Sequence, residues 1–123
     1  SEPLAGAVWC HCTRCQRRSG NAYQGSARLV PGSCAFVAGG ELVRRWAPGG
    51  GLDKCFCGEC GSAVFAADPE TGAVVAVRLG VIDGDPGIRP QAHQYVNYKA
   101  AWIDLPDDGL PRFPERVGET DPL

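Results

Sequence analysis

The stretch AVFAADPETGAVVAVRL, residues 63–79, decides the fold of this chain. Two apolar runs rich in valine and alanine flank the segment DPETG, residues 68–72. Asp and Pro favour tight turns through side-chain hydrogen bonds and a fixed φ, and Gly tolerates conformations that other residues avoid. β-Branched residues favour strands. The stretch therefore predicts a β-hairpin.

Short apolar runs of the same kind fill most of the remaining chain, where 17 Gly and 10 Pro separate them. No window shows sustained apolar positions at helical spacing, apart from one short helical turn at residues 13–18 that Gly20 would end. The prediction is a mainly β fold with little helix. Further strands are expected at residues 5–10, 22–30, 35–38, 42–46, 54–57, 94–96 and 101–104.

Chain length predicts one domain spanning residues 1–123. The residues from about 105 onwards are rich in proline and charge, so we expect an extended surface tail held by Leu110 and Phe113.

Charge and hydropathy exclude two classes of partner. The formal net charge of −2 provides no broad basic surface for a nucleic-acid backbone. The longest apolar run, residues 73–82, is interrupted by Arg78 and is shorter than the roughly 18 residues that a membrane span needs. We therefore expect a soluble, cytoplasmic protein with no nucleic-acid or membrane partner.

Six of the seven cysteines form two triplets of the pattern CxCxxC, which are CHCTRC at residues 10–15 and CFCGEC at residues 55–60. Thiolates are soft ligands that suit zinc, and a CxxC turn brings two of them to one ion. An odd number of closely spaced cysteines does not suit a disulfide scaffold. The spacing predicts metal binding, either in one closed site shared by both triplets or in two sites with three cysteines each.

The second triplet contains Gly58 and Gly61 where a zinc knuckle needs positive φ or a close backbone approach. We expect Cys57 and Cys60 to bind metal; the alternative is a pair of buried free thiols. For the first triplet the alternative is a redox CxxC pair. That motif normally adjoins a βαβ unit, and none is readable in this sequence.

Three basic residues distinguish the first triplet, namely Arg14, Arg17 and Arg18. A zinc ion with three thiolates carries a net charge of about −1, which guanidinium groups can neutralise while holding an anionic ligand. We interpret the first triplet as an open, reactive site and the second as architectural. The alternative for the arginines is a solvated turn.

The runs CHCTRCQRRSG, FCGECGSAVF and HQYVNYKAAWIDLPDDGLPRFPE, within residues 8–115, resemble the glutathione-dependent formaldehyde-activating enzyme family, which includes centromere protein V. The resemblance implies small coiled antiparallel β-sheets and two zinc ions. Cys10, Cys12 and Cys15 would hold the catalytic zinc. Cys57 and Cys60 would provide half of a structural site.

In the family, the other structural ligands come from a CxC pair upstream of the CHC block, and no cysteine precedes Cys10 in this sequence. Either that pair lies outside the sequence given or other ligands replace it, with Cys55 as the first candidate and Cys34 as the second. We expect His11 to support the metal site. His93 is expected to be a surface or hydrogen-bonded core residue, with catalysis as the alternative.

The resemblance also implies a reaction. Glutathione, or a related thiol, would bind zinc as its thiolate and add to formaldehyde or a similar small carbonyl, giving S-hydroxymethylglutathione. Such an enzyme belongs to the carbon–sulfur lyases. Arg14, Arg17 and Arg18 would bind the carboxylates of glutathione. The alternative is a non-catalytic zinc-binding module for protein interaction.

Overall fold

One mixed sheet of seven strands dominates the computed structural model, which describes residues 4–118. The strand order is β3-β4-β5-β6-β2-β1-β7, and neighbours are antiparallel except for the parallel pair β1–β7. The mainly β prediction is confirmed, although the strands form one sheet rather than several small ones. The strands are β1 (Leu4–Cys10), β2 (Gln24–Leu29), β3 (Val43–Trp46), β4 (Asp53–Cys57), β5 (Ala63–Ala67), β6 (Val74–Arg78) and β7 (His93–Gln94).

The predicted hairpin is confirmed as β5 and β6. Phe65 lies opposite Val77 in the antiparallel ladder. The turn forms because the Asp68 carboxylate accepts hydrogen bonds from the backbone N–H groups of Glu70, at 2.8 Å, and Thr71. Gly72 has a φ of 76°, which explains the need for glycine at the end of the turn.

One α-helix, α1 (Thr13–Ser19), follows β1. The predicted turn of helix is confirmed and continues for one residue more. Gly20 ends it in the left-handed conformation, with a φ of 67°, and donates its N–H to the carbonyl of Gln16. Three short 3₁₀ helices complete the regular structure of the described residues, at Gly40–Leu42, Leu79–Val81 and Val96–Tyr98.

Two predicted strands are wrong. Residues 35–38 form no strand, and Val37 is 99% exposed. This segment instead packs against the sheet through the Phe36 side chain, whose ring centroid lies 5.6 Å from that of Phe65. Residues 101–104 form a turn and irregular structure, with Trp102 exposed. The strand predicted at 94–96 is shorter and ends where Tyr95 adopts a positive φ of 58°.

The two faces of the sheet have different roles. Cys55, Phe65 and Ala67 form a buried apolar cluster on one face. Side chains alternate along a strand, so Lys54 and Phe56 point to the other face. That face carries α1, whose Arg18 guanidinium lies 5.6 Å above the Phe56 ring.

Residues 111–115 run beside β7 and the residues that follow it, and backbone hydrogen bonds join the two segments. His93 donates its N–H to the carbonyl of Pro111 and accepts from Phe113 N–H, and Tyr95 donates to the carbonyl of Glu115. Leu110 and Phe113 are half-buried. The last residues of the predicted tail, 119–123, lie outside the described residues.

Candidate metal centre

The structure brings three thiols together at the junction of β1 and α1. The sulfur atoms of Cys10, Cys12 and Cys15 all lie within 4.8 Å of one another. Cys10 ends β1, Cys12 is the N-cap of α1, and Cys15 lies in the first turn of the helix. Three soft sulfur ligands at this spacing suit zinc. The group can therefore hold a metal ion.

The helix start favours negative charge on Cys12. Its sulfur accepts a hydrogen bond from the Cys15 N–H at 3.3 Å. Hydrogen bonds from the thiols of Cys10 and then Cys15 lower the pKa of Cys12 to about 2. The pKa of Cys10 is raised, chiefly through its hydrogen bond with Cys12, and that of Cys15 is raised by its bonds with both neighbours. Metal binding would displace protons from Cys10 and Cys15.

A buried chain of hydrogen bonds lies behind the cluster. His11 Nε2 and His93 Nδ1 are 2.9 Å apart, and His93 Nε2 is 2.8 Å from Asp108 Oδ2. Both imidazoles are 0% exposed. The Tyr23 ring packs on His11 with ring centroids 4.4 Å apart.

The order of these groups constrains the histidine tautomers. An ionised carboxylate only accepts, so His93 Nε2 donates to Asp108; when the His93 ring is neutral, its Nδ1 then accepts from His11 Nε2. Burial, followed by the charges of His93 and Lys99, lowers the pKa of His11 to about 4. His11 is therefore neutral at neutral pH, with a buried Nδ1 that has no partner among the described residues. The position of His11, between two cysteines of the cluster and hydrogen-bonded to His93, agrees with the expectation that it supports the metal site.

The three predicted arginines occupy different environments. Arg14 donates Nη1 to the carbonyl of Gly50 at 3.1 Å and lies 5.9 Å from the Trp46 ring. Arg17 is exposed. Arg18 is half-buried, and burial followed by the charge of Arg78 lowers its pKa.

Sequence reasoning missed two cations beside the cluster, Lys54 on β4 and Arg78 at the end of β6. Burial and then the charge of Arg78 lower the pKa of Lys54, whereas Cys15 and Cys12 raise it. Arg78 is only 6% exposed. Neither residue is near the first triplet in sequence, so only the register of the strands could have indicated them.

The two glycines of the second triplet have the backbone geometry that the sequence predicted for them. Gly61 has a φ of 79°, and a Cβ atom at Gly58 would lie 3.0 Å from the carbonyl oxygen of Leu42. The Cys60 sulfur lies 3.1 Å from the Ser62 hydroxyl, and hydrogen bonds from Ser62 and then Cys57 lower the pKa of Cys60.

The structure does not bring Cys55 into a three-ligand group with Cys57 and Cys60. Within residues 4–118, the one group of three potential metal ligands is Cys10, Cys12 and Cys15. Cys55 is fully buried against Phe65 in the apolar cluster, and Cys34 is exposed.

No helix in the described part of the chain has the length and apolar character needed to cross a membrane.

These features define the class: a mainly β protein with a three-cysteine cluster suited to zinc. The sequence model of the family described as glutathione-dependent formaldehyde-activating enzyme matches residues 1–98. The chain belongs to this family. No curated protein matches the chain.

Proposed function

We propose that this protein is a zinc-dependent carbon–sulfur lyase of the S-(hydroxymethyl)glutathione synthase type. It would add glutathione, or a related thiol, to formaldehyde or a similar small carbonyl. The observation that carries the proposal is the group of three sulfur atoms within 4.8 Å of one another, in a chain that belongs to this family.

Cys10, Cys12 and Cys15 would hold the zinc ion. When bound, zinc would lower the pKa of an incoming thiol and hold it in position. The resulting thiolate adds to the carbonyl carbon, so that one carbon–sulfur bond forms and the carbon–oxygen π bond breaks. The carbonyl oxygen takes up a proton, which balances the proton that the thiol released.

Arg14, Arg17 and Arg18 are the proposed residues for the carboxylates of the thiol substrate. Arg18 is the best placed of the three, because it lies one turn after Cys15 on the same face of α1 and lines the adjacent cleft. Arg14 already donates a hydrogen bond to the carbonyl of Gly50, and Arg17 is exposed to solvent.

A second, structural zinc with Cys57 and Cys60 as ligands is part of the proposal. The knuckle geometry at Gly58 and Gly61 supports it. Cys55 is less well placed as a third ligand, because its side chain packs against Phe65 in the apolar cluster. The free state of the cysteines suits the cytoplasm, which we propose as the protein's location.

The test is the rate at which S-hydroxymethylglutathione forms. Formaldehyde reacts with thiols unaided, so ¹³C-formaldehyde and glutathione are followed by exchange NMR with zinc-loaded protein and with buffer alone. The proposal predicts a rate above the buffer rate that Cys12→Ala abolishes and Cys34→Ala retains, since Cys34 is exposed and outside the cluster. A rate equal to that in buffer would contradict it.

One observation favours the alternative, a non-catalytic zinc-binding module. Phe36 and Val37 are exposed apolar residues on the segment that was predicted as a strand. Such residues can serve as a contact surface for a protein. This module would bind zinc and leave the rate of adduct formation at the buffer value.

A further inference from the structure

We propose that Arg18 and Arg78, with added positive charge from Lys54, form a carboxylate-binding site beside the cysteine cluster. The site would hold a carboxylate of the thiol ligand while its sulfur occupies the metal centre. This inference rests on the proposed function for its choice of ligand.

Arg78 is the first support for the site. Its side chain is almost fully buried, since the residue is only 6% exposed, yet it has no acidic partner among the described residues. Nη1 donates to the hydroxyl of Ser26 at 2.7 Å, and the buried Nε has no partner. A buried guanidinium without a counter-ion is costly, so a bound anion would stabilise it.

Arg18 is the second support. Its Nε is also buried without a partner among the described residues, and the Cζ atom of the guanidinium lies 5.6 Å from the centroid of the Phe56 ring, within cation–π range. The fork of N–H donors on a guanidinium suits bidentate bonding to a carboxylate. Two arginines that line the same cleft therefore each have an Nε–H group without a partner.

The local charge balance is positive. Lys54 lies within electrostatic reach of Arg78, Cys12 and Cys15. The metal-loaded cluster would carry a charge of about −1, which is too little to balance three cations. The salt bridges of the described residues lie elsewhere, at Arg45–Asp53, Arg89–Asp85 and His93–Asp108.

Arg18 and Arg78 line a cleft of about 770 Å³. Cys10, Cys12 and Cys15 do not line this cleft, but two of its lining residues connect it to them: Arg18 follows Cys15 by three residues on α1, and Gln24 lies opposite Cys10 in the sheet. Cavities of this size accept small organic ligands. A thiol bound at the cluster, with a carboxylate several bonds from its sulfur, would extend along α1 towards Arg18 and the cleft that Arg78 also lines.

The experiment compares glutathione with its dimethyl ester, in which a methyl group neutralises each carboxylate and the thiol is unchanged. Binding to the cobalt(II)-loaded protein is followed through the absorbance of the thiolate-to-cobalt charge transfer. We expect glutathione to bind at least about tenfold more tightly than the ester. Arg78→Gln should weaken glutathione binding about tenfold or more and leave ester binding unchanged.

The matched control is Arg89→Gln. Arg89 lines the same cleft, but its guanidinium already forms two hydrogen bonds of 2.8 Å with Asp85. We expect no change in the affinity for either ligand. Arg78 is buried, so its replacement can impair folding. Arg18 is only half-buried, and Arg18→Gln therefore provides a second test. We expect this variant also to bind glutathione more weakly and to bind the ester unchanged.

A probe without sulfur separates the two proposals. Propionate should shift the Nε–H NMR signals of Arg18 and Arg78, and leave that of Arg89 unmoved. If neither thiol binds but propionate shifts these signals, the proposed function fails and the anion site stands. If both thiols bind equally well, or if Arg18→Gln weakens both to the same extent, the anion site is refuted and thiol binding stands. Absence of any propionate effect, together with absence of thiol binding, refutes both.

Discussion

Replacing His93 by leucine should destabilise the protein by about 2–4 kcal/mol. His93 is the middle member of the buried chain from His11 to Asp108, with hydrogen bonds of 2.9 and 2.8 Å. Leucine would leave both ring nitrogens of the fully buried His11 without a partner. An orphaned buried polar group costs about 1–3 kcal/mol, and the lost bond itself adds about 1 kcal/mol. The Asp108 side chain is 30% exposed and can regain water, so the loss of its hydrogen bond from His93 is largely offset and lies within the same range.

The assay is urea unfolding of the zinc-loaded protein at a fixed concentration of free zinc, with the midpoint and the slope both measured. The informative control is the double variant His11→Phe/His93→Leu. It removes both partners and leaves no orphaned nitrogen, so it should be more stable than the sum of the two single losses predicts. A change of less than about 0.5 kcal/mol for His93→Leu would refute the reasoning, since buried network residues are expected to exceed that value.

Two further predictions follow from local contacts and charge. Gly25→Ala should cost about 1–3 kcal/mol of unfolding free energy, because the new Cβ would lie 3.0 Å from Trp9 Cζ3 and 3.2 Å from Leu79 Cδ1. Gly80→Ala is the control, since no atom lies within 4 Å of the Cβ it would add, and an equal loss in both variants would contradict this account. The hydrogen bond from His93 lowers the pKa of Asp108, so the stabilisation from this carboxylate is complete above its ordinary pKa of about 3.9 and is lost as the pH falls through the lowered value. A ¹³C NMR titration of the Asp108 carboxyl carbon should give a pKa below the ordinary value of about 3.9, and His93→Leu should raise it; a pKa at or above the ordinary value in the unaltered protein would exclude the proposed link to His93.

The features that the sequence predicted well are local. The β5–β6 hairpin follows from the turn at residues 68–72, where Asp68 bonds its own loop. The cysteine cluster follows from CHCTRC because Cys12 and Cys15 are three residues apart across a helix start. Each arrangement depends on residues a few positions apart, so spacing alone carries the information.

The features that the sequence did not predict are contacts between residues distant in sequence, which depend on how the strands pair. His11 and His93 meet across 82 residues through the parallel pairing of β1 with β7, which no short pattern encodes. Arg78 reaches Ser26 across 52 residues through the antiparallel pairing of β2 with β6. The failed strand at residues 35–38 has suitable composition, but it pairs with no strand of the sheet in the described part of the chain, and its Phe36 ring packs near the Phe65 ring instead.

The central claim is that a zinc ion held by Cys10, Cys12 and Cys15 has one coordination position for a thiol. X-ray absorption at the zinc edge tests it most directly, in a Cys57→Ser/Cys60→Ser variant loaded with one zinc per chain to isolate this site. The account predicts three sulfur ligands and one lighter atom without glutathione, and four sulfur ligands after glutathione is added. Four sulfurs before the addition, or a coordination shell that glutathione leaves unchanged, would contradict it.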